Sequence, residues 1–87
     1  MELRQIYDFL EDAPNYPNDF YPIQDGTQRL KVKNQFLLAE LRSVESGEWQ
    51  KVYQDGYSAG EPVSIHYFES RSGKVFDVKV KSGWSNQ

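Results

Sequence analysis

The sequence contains no cysteine and a single histidine, His66. Disulfide staples, thiolate nucleophiles and Cys- or multi-His metal sites are therefore excluded, and the core must hold by packing alone. No stretch approaches the roughly 18 consecutive apolar residues of a membrane-spanning helix. The opening, Met1-Glu2-Leu3-Arg4-Gln5, has neither the basic start nor the apolar run of a secretory signal. A soluble, cytoplasmic chain with no membrane partner is the expectation. The six glycines stand singly, with no repeat and no low-complexity tract, so nothing supports nucleotide binding through a phosphate-cradling loop. Positive charge is also short: Lys+Arg 10 against Asp+Glu 13 gives a net charge of -3. The chain as a whole does not attract nucleic acid or anionic membrane, and any such partner requires a local patch.

What is present is 87 residues, enough for one domain. Aromatic residues are abundant, with six Tyr, five Phe and two Trp. Leu3, Ile6, Tyr7 and Leu10 follow the i, i+3, i+4, i+7 spacing of one helical face, which predicts a helix over residues 2–11. Residues 13–28 carry three prolines and an Asp25-Gly26 turn signal without either periodicity, and read as a long loop. Tyr16, Phe20, Tyr21 and Ile23 can peg such a loop to the core, or form a lid that contacts a ligand.

Residues 34–45 admit two readings. Leu37, Leu38, Ala39, Glu40, Leu41 and Arg42 are good helix formers, Asn34 suits an N-cap and Ser46-Gly47 a stop. The rival is a strand from Phe36 to Val44. From Glu48 onward, β-branched and aromatic runs between turn residues predict strands over 49–54, 63–69 and 74–81, with Asp55-Gly56 as a turn. The expected fold is therefore α+β: one or two N-terminal helices packed on a C-terminal antiparallel sheet of three to four strands.

Taking Ser70 to Gly73 as a four-residue loop pairs Phe68 with Val75, Tyr67 with Phe76 and His66 with Asp77. Side chains alternate along a strand, so one face collects Val63, Ile65, Tyr67, Phe76, Val78 and Val80 as a core. The opposite face collects Ser64, His66, Phe68, Val75, Asp77, Lys79 and Lys81, joined by Trp49, Lys51 and Tyr53 from the neighbouring strand. Charge is unevenly distributed in the same sense. Residues 1–28 hold one Arg against six acids, whereas residues 63–87 hold four basic residues against two acids. Lysines interleaved with aromatics on an open sheet can hold phosphates and stack unpaired bases, as in single-stranded RNA recognition. His66, with an ordinary pKa near 6.5, could serve there as a general acid or base oriented by Asp77. The plain alternative is a favourable His–Asp cross-strand pair on a solvated lysine face that discourages edge-to-edge aggregation.

Glu48 to Gly56, Val63 to Phe68 and Gly73 to Lys81 together resemble the C-terminal end of small polymorphic-toxin nuclease domains, which share their plan with barnase, EndoU and colicin-type RNases. That resemblance implies helices followed by an antiparallel sheet whose open face carries metal-independent RNA cleavage. It also implies transesterification at a ribose 2′-hydroxyl, with His66 as acid/base and Lys51, Lys79 or Lys81 steadying the phosphate. The chain departs from that plan in its acidic balance and in lacking a second histidine. The sequence thus points to His66, Asp77 and Lys51 as candidate catalytic residues, and to Trp49, Tyr53, Ser64, Phe68, Lys79 and Lys81 as candidate binding residues. No cofactor is called for, and the candidate ligand is single-stranded RNA or tRNA. The competing expectation is a non-catalytic protein-interaction domain, for example an acidic partner-binding or accessory module.

Overall fold

A computed structural model describes residues 10–11 and 16–84. Within them the elements run β1 (Leu10–Glu11), β2 (Tyr21–Lys31), α1 (Gln35–Val44), β3 (Gln50–Ser58), β4 (Glu61–Glu69) and β5 (Val75–Ser82). The five strands form one antiparallel sheet in the order β1-β5-β4-β3-β2. The fold is α+β, but its helix lies between β2 and β3 and not ahead of the sheet. Of the expected N-terminal helix, residues 2–9 lie outside the described residues. Leu10 and Glu11 are extended instead, paired with Phe76 and Val75.

Helix α1 forms where the composition favoured it. The Asn34 side chain accepts hydrogen bonds from the backbone N–H groups of Phe36 (3.1 Å) and Leu37 (3.2 Å), satisfying two of the four donors a helix start leaves free. Its end is held by Glu45 N–H on the Leu41 carbonyl and by the Arg42 Nε–H on the Gly47 carbonyl. Leu38 and Leu41 point inward and pack with Trp49 and Phe76. Burying side chains of this size contributes roughly 1.5–3 kcal/mol each.

The long loop expected over 13–28 is half strand, because β2 begins at Tyr21. Proline and Asp-Gly hid it, and both are tolerated since β2 is an edge strand. The pairing with β3 shifts between Pro22 and Thr27, where Asp25 adopts a left-handed φ of 57°. Asp55-Gly56 is likewise not a turn but the middle of β3. The chain reverses instead at Ala59 and Gly60, both with positive φ, as a two-residue type I′ hairpin requires. Gly56 is needed for another reason. A Cβ there would lie 2.3 Å from the Tyr21 carbonyl oxygen and 2.8 Å from the Phe20 ring.

Register is the main correction. Phe68 faces Phe76 and Glu69 faces Val75, one position off the expected pairing; His66 then faces Lys79 and Ser64 faces Lys81, two positions off. Between these pairs, Asp77 and Val78 together oppose Tyr67 alone, a β-bulge with Asp77 at φ 59°. His66 therefore sits across from Lys79, not Asp77. Val75 and Phe76 also exchange the faces expected of them. Val75 packs with Val52, Ile65 and Tyr67 on what we term the back face, whereas Phe76 lies on the front face under α1.

Candidate functional site

The front face divides into three zones. At one end α1 covers Trp49 and Phe76, with Val32 and Phe68 packed against the cluster. Trp49 is 1% exposed and donates its indole N–H to the Glu45 carbonyl at 2.9 Å, so it is a core residue and not available to a ligand. At the other end Trp84 packs edge-on to Tyr57 and donates to the Gly56 carbonyl at 2.9 Å. Between them the sheet stays open over Lys51, Tyr53, Ser64, His66, Phe68, Lys79 and Lys81, which the β3–β4–β5 pairing brings to one side.

The bulge makes this grouping possible. Phe76 and Lys79 are an odd number of positions apart, so a regular strand would send them to opposite faces. The extra residue at Asp77 restores Lys79 and Lys81 to the side on which Phe76 is buried. Asp77 itself pairs with Lys79 at 3.5 Å instead of supporting His66.

His66 is half-buried, and its Nε2 shares a 2.9 Å hydrogen bond with the Ser64 hydroxyl. The Tyr53 ring meets it edge-on with centroids 4.4 Å apart. Burial holds the imidazole pKa below its ordinary 6.5, the Lys81 and Lys51 charges push the same way, and the carboxylate that opposes them is Asp55. Asp55 and Ser64, buried cross-strand partners, form the floor of the site. The carboxylate signal was thus present in the sequence but was assigned to the wrong acid, because Asp55-Gly56 was read as a turn.

The Lys51 ammonium lies 5.4 Å from the Tyr53 ring centroid and 5.5 Å from that of Phe68, both within cation–π range. A cleft of about 100 Å³ opens among Lys51, His66, Asp77, Lys79 and Lys81, against the wall of Phe68. At about 30 Å³ per water, this is room for a small oxyanion. A larger groove, about 630 Å³, runs from Lys51, Tyr53 and Phe68 toward the start of α1. A further depression of about 490 Å³ is bordered by Glu48 and Glu69 and lies away from His66. The described residues contain no group of three or more His, Asp or Glu placed to hold a metal ion, and no helix long and apolar enough to cross a membrane.

The back face is closed. Phe20 packs on the Val52–Ile65–Tyr67–Val75 cluster, and Tyr16 stacks on Phe20 with centroids 5.1 Å apart. Gln54 donates to both the Tyr16 and Tyr67 hydroxyls. The aromatic segment is therefore a peg on the side opposite the lysines, not a lid over them.

No family model matches the chain, and no solved structure matches it. Nucleoside hydrolase 4 of Arabidopsis thaliana is similar at 26% identity over 87 residues, a region covering 95% of this chain and 16% of that protein. The chain thus spans about one sixth of the length of the curated relative it matches.

Proposed function

We propose that the open middle of the front face binds single-stranded RNA, with Lys51, Lys79 and Lys81 taking phosphates and Tyr53 and Phe68 offering ring faces to unpaired bases. The observation that carries this reading is the bulge at Asp77, which costs β-sheet regularity and whose effect is to gather the lysines around His66. Bulges that re-aim side chains recur beside functional sites. The local geometry supports the reading despite the net charge of -3, because the patch and not the total sets the field at the surface. A cytoplasmic setting belongs to the same proposal.

The resemblance to toxin nuclease domains would extend binding to cleavage. His66, kept neutral, could accept a proton from a ribose 2′-hydroxyl and so act as the base. Lys51 would steady the phosphate. Cleavage is the less supported half, because Asp77 pairs with Lys79 and leaves the Ser64 hydroxyl as the hydrogen-bond partner of His66. The match to part of a nucleoside hydrolase contributes no residue to this site. A second reading, a protein-interaction domain, draws on one observation: Phe36 on α1 is 86% exposed.

Fluorescence anisotropy with a labelled single-stranded RNA, in a salt series, tests the proposal. Replacing Lys79 and Lys81 by Gln is expected to weaken binding at least tenfold at low salt. It should also lower the dependence of log affinity on log salt by about 2. Unchanged affinity and slope would remove the RNA reading. Incubation of the same RNA with chelator present separates the two halves: products formed by the wild-type chain and absent with His66→Ala support cleavage, and intact RNA leaves binding alone.

A further inference from the structure

We propose that the larger groove beside the start of α1 is a pocket for one unpaired nucleobase of the strand whose phosphates lie on the lysine face; this rests on the RNA-binding reading and specifies it. The groove's walls are apolar where a flat ring would lie. Leu30 and Val32 form one side, Leu37 of α1 another, and Phe68 and Tyr53 the sheet side. Its volume, about 630 Å³, lies within the roughly 300–1,000 Å³ of small-ligand sites.

Three further observations favour a base joined to a phosphate. The groove shares Lys51 and Phe68 with the smaller cleft beside His66, so a ring in one and an oxyanion in the other would be held by a continuous surface. The groove's rim is cationic. Lys33 and Lys51 make no ion pair with an acid among the described residues, and Lys31 meets Glu48 only at 3.7 Å with both side chains largely exposed. Apolar walls with a positive rim complement a ligand that has a flat body and a negative linkage. Finally, Asn34 lines the groove with its carbonyl oxygen already committed to the N–H groups of Phe36 and Leu37. What it can offer a ligand is therefore its amide N–H, a donor whose orientation the helix cap has fixed in advance. Base edges carry the carbonyl and ring-nitrogen acceptors such a donor needs.

Two labelled strands of equal length and charge test the assignment, one a normal single-stranded RNA and the other an abasic ribose-phosphate chain. The wild-type chain is expected to bind the base-carrying strand about tenfold more tightly, the scale of one stacked base. Leu37→Trp, which fills the groove from the helix side, and Leu30→Ser, which strips its half-exposed outer wall, should both bring the two affinities to within about twofold of each other. Binding of the abasic strand should stay near the wild-type value. Leu30 lies on an edge strand and is 52% exposed, so that variant keeps the test decisive should Leu37→Trp fold poorly.

Equal affinity for both strands in the wild type would overturn the groove assignment while leaving the lysine face as an RNA site. So would a preference for bases that survives in a folded Leu30→Ser. Binding of neither strand would remove the RNA reading and this inference together. An acidic, leucine-rich peptide that displaces the RNA and loses affinity in Leu30→Ser would overturn it in favour of a protein partner.

Discussion

The sheet closes its two faces by different means. The back face is sealed along its length by side chains reaching from a segment next to β2, with Phe20 and Tyr16 laid over Val52, Ile65, Tyr67 and Val75. The front face is sealed only at its ends, by α1 over Trp49 and Phe76 and by Trp84 against Tyr57. Its middle presents lysines around a half-buried histidine. In a chain of 87 residues a core is scarce, and leaving half a face open is a use of the sheet that stability alone does not account for. The contrast teaches that function here is to be sought where burial stops, and that the closed zones can be perturbed separately from the open one.

The largest effect is expected where the front face is sealed. Trp49 is 1% exposed and packs with Leu38, Leu41 and Phe76 while its indole N–H is satisfied by Glu45. Trp49→Ala should cost about 3–5 kcal/mol in urea unfolding, by loss of burial and the cavity left behind. A loss below about 1 kcal/mol would mean that Trp49 is not covered by α1, and that the open zone reaches further than described.

A smaller loss is expected on the back. Gly56→Ala places a methyl group against the Tyr21 carbonyl and the Phe20 ring, and neither backbone nor peg can move without loosening the seal. The expected cost is about 1–3 kcal/mol, the range for overpacking. Enhanced quenching of tyrosine fluorescence should accompany it. Because the change lies on the back face, RNA affinity at the lysine face should stay within about twofold of wild type. A selective loss of RNA binding in a variant of unchanged stability would instead put the ligand on the peg side, contrary to the comparison drawn above.

The same contrast explains how much of the molecule could be read from residues alone. Helix α1 was legible because its signals are local: an Asn34 cap, strong helix formers and a Gly47 stop. The three later strands were legible by composition, and so was the gathering of Lys51, Tyr53, His66, Lys79 and Lys81 on one side. Register was not, because nothing in Phe76-Asp77-Val78 marks a bulge; a glycine is the usual sign, and Asp in a left-handed conformation leaves no trace in hydropathy. Edge strand β2 was missed because its Pro22 and Asp25-Gly26 carry the composition of a loop. Asp55-Gly56 misled in the opposite direction. Its glycine answers a close approach between strands, and its aspartate is a buried floor residue beside Ser64, both tertiary facts that no local rule encodes. Trp84 was overlooked as a boundary of the site because it lies beyond the last periodic residue.

The smallest and most discriminating effect concerns His66. Its imidazole is held neutral first by burial, then by the Lys81 and Lys51 charges, with Asp55 pulling the other way. Its pKa in the folded chain should therefore lie below 6.5, the value it takes when unfolded. The unfolded chain then binds more protons across that interval, so the contribution of His66 to stability is present above pH 6.5 and lost as pH falls through the folded value. NMR titration of the single imidazole checks the direction without any assignment problem. Lys81→Gln should raise the pKa toward the ordinary value but not to it, because burial remains the larger cause. Inorganic phosphate, if it enters the cleft between Lys51, Lys79 and Lys81, should raise it too, since an anion there favours the imidazolium. A wild-type pKa at or above 6.5 that ignores both Lys81→Gln and phosphate would show that lysines and histidine do not share one surface. The distinction between a sealed back and an open, cationic front would then fail at its most specific point.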